Sequence, residues 1–262
     1  MSDDSPVEPS FESLTIFFPM WNEEALIHQT VAAAREAAVD LVVAGEIGDY
    51  EILLIDDAST DATPQLADEL AASDSNIRVV HHAVNRKLGG SLKTGFAEAR
   101  GELILYTDAD LPFDMAELAK AVRIMRLYDA DIVSAYRFDR TGEGPRRFVY
   151  SYVYNFLVRY AFSLRLRDVN FAFKLVHRRV LDNLQLKSEG SFIDVELLAR
   201  ANRLGFHTLQ FGVDYFPRSR GVSTLSSGSV ILKILREMRW LSGELRTIEP
   251  LPDHVRRPHT SV

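Results

Sequence analysis

The stretch Glu102-Leu-Ile-Leu-Tyr-Thr-Asp-Ala-Asp-Leu-Pro112 decides the fold. Its apolar run has the length and composition of a buried strand. It ends in Asp108-Ala109-Asp110, two carboxylates spaced i, i+2. They therefore stand where a strand leaves its sheet, and in open α/β sheets that carboxyl edge is where ligands bind. Two hard oxygen ligands suit Mg²⁺ or Mn²⁺, with a substrate phosphate completing the shell. Taken alone, the stretch fits an acidic strand-end turn without metal equally well.

Working outward, strand-like and helix-like runs alternate. Leu14-Thr-Ile-Phe-Phe18 predicts a strand, followed by a helix from about Glu23 to Val43. Tyr50 to Ile55 is a second strand, ending in Asp56-Asp57. Ser59 or Thr60 can cap a helix near Asp61 to Ala72. Ile77 to Val80 is a third strand, and the loop Arg86-Lys-Leu-Gly-Gly90 leads into a helix to Arg100. After the Asp108 strand, Asp114-Met-Ala-Glu117 has capping-box spacing and opens a helix to about Leu127. Asp131 to Ala135 is a further strand. This rhythm predicts an α/β fold, a mostly parallel sheet with helices on both faces. Acidic residues close two of its strands, which implies one edge that meets something charged.

Composition excludes several classes. The chain has 262 residues, 47% of them hydrophobic, enough for a substantial core. Its net charge of −7 argues against a nucleic-acid binder. With no cysteine there is no disulfide, thiolate nucleophile or zinc–thiolate site. The polar, acidic start lacks a signal-peptide pattern. No apolar stretch reaches the ~18 residues of a membrane span. Neither Gly-x-Gly-x-x-Gly after the first strand nor a Gly-x-x-x-x-Gly-Lys-Ser/Thr loop is present, so dinucleotide oxidoreductases and P-loop kinases lose ground.

Six motifs in order then carry a resemblance. They are Pro19-Met-Trp-Asn-Glu23, Ile55-Asp-Asp-Ala-Ser-Thr-Asp61, Lys87-Leu-Gly-Gly90, Asp108-Ala-Asp110, Asp131 to Arg137 and Arg218-Ser-Arg-Gly221. From about Leu14 to Thr224 the chain resembles family 2 glycosyltransferases of the GT-A fold, most closely the dolichol-phosphate (polyprenyl-phosphate) mannosyltransferase type. The resemblance implies that Pro19, Trp21, Glu23, Ile55 and Asp57 cradle the nucleotide. Asp108, Ala109 and Asp110 would meet the diphosphate, with Asp108 and Asp110 on Mg²⁺ or Mn²⁺. Arg137, Arg147 and Arg218 would hold phosphate charge, and Arg147 and Ser151 would lie at the acceptor. The implied donor is a nucleotide-diphospho-sugar, GDP-mannose favoured and a UDP-sugar as the other choice. The implied acceptor is a polyprenyl phosphate, reached from the cytoplasmic face of a membrane.

Departures from the pattern bear on the acceptor. Pro112 stands where relatives often carry Gln or Ser, so a third side-chain metal ligand is missing there. Thr224 replaces a late lysine, and Phe171 and Ala172 stand where relatives have small residues or glycine.

Several residues keep two readings. Trp21 is a packed core aromatic or stacks on a base. Lys87 to Gly90 form a helix entry or touch the ligand. Asp168 is a loop carboxylate or, like Asp194, the base that a hydroxyl acceptor would need; an acceptor phosphate needs none. Phe148 to Leu166 and Val230 to Leu245 either pack on the sheet or lie in a membrane interface, Ile234 and Leu241 marking the apolar face of the second. The expected layout is a disordered N-terminus over 1–12, a catalytic domain over 13–225, an amphipathic helix over 226–248 and a flexible tail over 249–262. A sugar-1-phosphate nucleotidyltransferase and a catalytically silent binding module are the competing classes.

Overall fold

Strand β1 (Phe11–Met20) turns Leu14, Ile16 and Phe18 to one face of the sheet and Phe17 to the other. That two-residue period, apolar on both sides, marks a strand covered on both faces. Strands β2 (Ile47–Asp56), β3 (Ile77–His81) and β4 (Leu103–Thr107) repeat it, with Ile52 and Leu54 opposed to Leu53 and Ile55. Strands β5 (Ile132–Arg137), β6 (Phe173–His177) and β7 (Thr208–Val213) complete a seven-stranded sheet in the order β3-β2-β1-β4-β6-β5-β7. The computed structural model describes residues 9–138, 145–215 and 228–256, with backbone alone at 145–153, 228–235 and 253.

Pairing is parallel from β3 through β4 and between β5 and β7. Strand β6 runs antiparallel to both β4 and β5. The chain leaves β1 toward β2 and β3 and then returns to place β4 on β1's other side. This reversal of direction is a topological switch point, where an open sheet leaves a crevice at its carboxyl edge.

Helices α1 (Ile27–Val43), α2 (Thr63–Ser73) and α4 (Glu117–Tyr128) cover one face. Helix α1 does so through Ile27, Val31, Ala34, Ala38 and Leu41, spaced by three and four residues. Helices α3 (Lys87–Glu98), α7 (Ile193–Leu204) and α8 (Gly228–Leu245) cover the other, and α5 (Pro145–Phe162) packs on α8. Short turns α6 (Arg178–Leu181) and α9 (Asp253–Arg256) follow β6 and end the described chain. Among the described residues, no helix is long and apolar enough to cross a membrane.

Several boundaries differ from the sequence expectation. Helix α1 starts at Ile27 because Asn22 adopts a left-handed backbone, φ 59°, and turns the chain first. Neither Ser59 nor Thr60 caps α2; both bond Asn22 instead, and Ala62 occupies the cap position. Asp114 accepts from the Ala116 N–H at 2.9 Å in a turn that precedes α4. Residues 249–256, where a loose tail is expected, are held down: Leu251 N–H donates to Leu204 O, and Arg256 bonds Gly205 O. On α8, Leu241 and Met238 are buried, so that end of the apolar face packs on the protein; the side chain of Ile234 lies outside the described residues.

Candidate active site

The turn after β4 is fixed from both ends. Leu111 N–H donates to Asp108 O, and the hydroxyl of Thr30 on α1 donates to Ala109 O. Leu111 takes φ 43° just before Pro112, so the backbone doubles back and sets Asp108 and Asp110 on one turn. Both carboxylates are half-buried and Ala109 is buried. Among the described residues, no cluster of three or more His, Cys, Asp or Glu side chains could hold a metal. Two carboxylates alone suit a hard cation whose other positions go to diphosphate and water, and Pro112 adds no ligand. The donor chemistry fits Mg²⁺ or Mn²⁺.

Beside it, the loops after β1 and β2 are bonded to each other. Asn22 N–H donates to Ser59 Oγ at 3.0 Å, and Glu23 N–H to Thr63 Oγ1 at 2.8 Å. In return Thr60 N–H donates to Asn22 Oδ1 at 2.8 Å, and Ala62 N–H to Glu24 Oε2 at 2.9 Å. Trp21 therefore sits on a braced turn, and it is 56% exposed. That excludes the core-aromatic reading and leaves a flat ring at the edge. Pro19 is half-buried beside it. Ile55 is fully buried against Leu92 and Phe96, so its side chain belongs to the core.

Asp57 follows β2 and is held from four directions. Its N–H donates to Met20 O, and its carbonyl accepts from Asn85 Nδ2. Its Oδ1 lies 2.7 Å from His82 Nδ1 and also 2.7 Å from the donating N–H of Arg86. Lys87-Leu-Gly-Gly90 is the first turn of α3. Gly89 is there for packing: a Cβ would come within 2.4 Å of the Glu189 backbone.

On the far side of β4, Arg137 at the end of β5 grips Asp168. Arg137 Nε lies 2.7 Å from Oδ2 and Nη2 2.8 Å from Oδ1. The guanidinium lies over the rings of Tyr215 and Phe171, 5.0 and 5.8 Å from their centroids. Asn155 Oδ1 on α5 accepts from the Val169 N–H, which ties the turn that carries Asp168 to that helix.

Beneath lies a second pair. Lys174, the second residue of β6, is fully buried, and its Nζ lies 2.8 Å from Asp194 Oδ1 and 2.7 Å from Phe171 O. Tyr106 OH reaches Asp194 Oδ2 at 3.4 Å. Burial pushes the Asp194 carboxyl pKa up, against the pull of Lys174. Glu196 is buried as well, accepting from Arg200 and from the Lys187 and Ser188 N–H groups. Both acids of α7, Asp194 and Glu196, are thus buried and partnered.

The structure thus brings Trp21, Asp57, Asp108, Asp110, Arg137 and Asp168 to one edge of the sheet. Arg218 lies outside the described residues, and so do the side chains of Arg147 and Ser151 on α5. The sequence reading missed His82 and Lys174. A usable signal existed for the first: β2 and β3 pair in parallel with Asp56 opposite His81, which sets Asp57 opposite His82.

A switch-point crevice bordered by paired strand-end carboxylates is the frame of a GT-A transferase. The family model described as Glycosyl transferase family 2 matches residues 15–185, and this chain belongs to that family. Glycosyltransferase AglD of Haloferax volcanii is 36% identical over 210 residues, covering 78% of this chain. The chain spans only 33% of that relative's length. Polyprenol monophosphomannose synthase of Mycolicibacterium smegmatis is 27% identical and matches across 91% of this chain and 90% of its own length. Two solved structures share the fold at 20% identity. One is mannosyltransferase PcManGT of Pyrobaculum calidifontis with GDP-Man and Mn²⁺, TM-score 0.62, covering 95% of this chain and 69% of its own. The other is glucosyl-3-phosphoglycerate synthase of Mycobacterium tuberculosis with Mn²⁺, UDP-glucose and phosphoglyceric acid, TM-score 0.64, covering 92% and 81%.

Proposed function

We infer that this chain is a metal-dependent, inverting hexosyltransferase. It moves a hexose from a nucleotide-diphospho-sugar to a polyprenyl phosphate at the cytoplasmic face of a membrane. One observation carries the choice of acceptor: both candidate general bases are already engaged. Asp168 is forked to Arg137, and Asp194 is buried against Lys174. A hydroxyl acceptor needs a base to take its proton, whereas a phosphate monoester is anionic near neutral pH and needs none. The names of relatives that act on polyprenyl phosphate agree with this choice.

In the reaction an oxygen of the acceptor phosphate attacks the anomeric carbon in line. The bond from that carbon to the diphosphate oxygen breaks, its electron pair leaves with the nucleoside diphosphate, and the configuration inverts. Asp108 and Asp110 would hold a divalent cation, which supplies positive charge against the departing diphosphate. Trp21 offers a stacking face for the base and Asp57 a hydrogen-bond acceptor. Arg137, pre-positioned by Asp168, faces the phosphates, and Arg147 on α5 is assigned to the acceptor phosphate. The mannose relatives favour mannose as the sugar.

Lipid contact is assigned to α5. Phe156, Leu157 and Tyr160 are exposed at one-turn spacing with Arg159 between them. The deciding experiment offers nucleotide-sugars with Mn²⁺ to the protein, with and without a polyprenyl phosphate. Transfer to the lipid phosphate is expected, and Arg147→Ala should raise the KM for acceptor more than that for donor. Transfer that proceeds only to a soluble hydroxyl acceptor would overturn this reading.

A further inference from the structure

The structure assigns to His82 a role that neither the family motifs nor the relatives' names give it: a positioning residue that sets which base the donor carries. The inference rests on the edge being a nucleotide-sugar site, as proposed above, and deepens that reading.

On that reading Asp57 is the carboxylate at the base end of this edge; its N–H donates to Met20 O, the residue before Trp21. A carboxylate oxygen has two lone pairs. On Oδ1 both are used, one by His82 Nδ1 and one by the Arg86 N–H, each at 2.7 Å. His82 is itself fixed. Its Nε2 lies 2.9 Å from Thr94 Oγ1 on α3, and its backbone N–H donates to Asp56 O. Its side chain and that of Asp57 are each 5% exposed, so the pair is rigid and nearly dry. Among the described residues no donor bonds Oδ2. Asp57 therefore offers a ligand one acceptor atom rather than two.

The nucleobases differ in what they present to such a group. Guanine presents N1–H and the N2 amino group side by side and fills both oxygens of a carboxylate. Uracil presents a single N3–H between two carbonyls. A carboxylate with one oxygen saturated matches the single imino donor. Offered guanine, it leaves the N2–H without a partner in a desolvated place, and an unmade hydrogen bond of that kind is what gives polar sites their discrimination. The Asp57 geometry thus moves the donor from GDP-mannose to a uridine-diphospho-sugar. The fold does not decide the point, since structures of this architecture hold either nucleotide.

The test is calorimetric titration of the full chain with UDP and with GDP, each with Mn²⁺. UDP should bind at least about tenfold more tightly, the worth of one well-placed hydrogen bond. His82→Leu removes the Nδ1 donor and frees one lone pair of Oδ1. The UDP-over-GDP ratio should then fall toward one, and in turnover the loss should fall on donor KM more than on kcat. His82→Asn keeps an N–H at the same position and should restore the ratio, which a purely structural role would not do. GDP binding as tightly as UDP to the wild type overturns the base assignment and leaves the transferase reading standing. Equal weakening of both nucleotides in His82→Leu, not rescued by Asn, overturns the role of His82. Binding of neither nucleotide overturns the donor site itself and this inference with it.

Discussion

Arg137 and Asp168 form a two-pronged ion pair across the gap between two strands: the guanidinium closes β5 and the carboxylate stands on the turn before β6. The planar fork matches the carboxylate on both oxygens, which a lysine could not do. The side chains are 11% and 3% exposed, so solvent does little to soften the loss of one partner. Asp168→Asn should lower stability by about 3–5 kcal/mol, the range for breaking a buried pair on one side. It should also release Arg137 from its place over Tyr215. Thermal unfolding with parallel turnover checks this; an unchanged Tm would show that the pair is not held in solution.

Removing one carboxylate at the end of β4 should act on chemistry and spare the fold. Asp110→Asn should abolish transfer in EDTA-stripped protein resupplied with Mn²⁺, while the circular dichroism spectrum stays that of wild type. Full turnover in that variant would remove the metal from the proposed function.

Lys174 and Asp194 make a different prediction, since the pair lies beneath the edge, enclosed by protein. Lys174→Met alone should cost about 3–5 kcal/mol, because it strands a carboxylate in the core. Lys174→Met combined with Asp194→Leu should recover most of that loss, since an apolar pair of similar volume is often neutral. Chemical denaturation of the three variants measures the coupling. Additive losses would mean that the two side chains do not act as a pair.

His81 should give the stability curve a slope near neutral pH. Partial burial disfavours its imidazolium, but Asp56 at 2.8 Å and Asp68 at 3.1 Å outweigh that and hold its pKa above the ordinary value. A folded-state pKa that is raised gives stability fully present below about pH 6.5, the unfolded value. That stability is lost as pH rises through the folded value. Tm should therefore decline from about pH 6.5 upward, and His81→Gln should flatten the decline. A slope that survives the substitution belongs to another group.

Membrane attachment should follow α5. Burying the exposed Phe156 and Tyr160 in an interface is favourable by about 25 cal/mol per Å² of apolar area. Arg159 and Arg165 add attraction to anionic headgroups. Phe156→Glu plus Tyr160→Glu should abolish salt-sensitive co-sedimentation with anionic vesicles and leave Tm unchanged. Leu241→Glu should instead unfold the protein. If the α5 variant still sediments, another surface makes the contact.

Much of this was legible in the sequence where a strand is covered on both faces, because such a strand reads as a continuous apolar run. β4, with its closing Asp108 and Asp110, is the clearest case. Helix starts were less legible. Asn22 turns the chain through a left-handed conformation that no periodicity reports, so α1 begins four residues after Glu23. Strand β6 is less legible because Lys174, its second residue, argues against a core strand. Its partner Asp194 lies on α7, and only the fold brings the two together. Asp57 and His82 are likewise 25 residues apart and meet through strand register.

The reversed strand β6 has a consequence for how this edge can change. Asp57 and Asp108 stand where strands finish, on turns whose parallel neighbours keep one another in register from β3 to β4. Asp168 stands where a strand begins, on chain arriving from α5. The stretch between β5 and β6 is tied back to the sheet along its way: Arg167 N–H donates to Gln210 Oε1 on β7, and Val158, Phe162 and Leu164 are buried in the core. A change in that stretch would therefore reach Arg137 and β7 through its own bonds, while the register of the strands from β3 to β4 has no part in it.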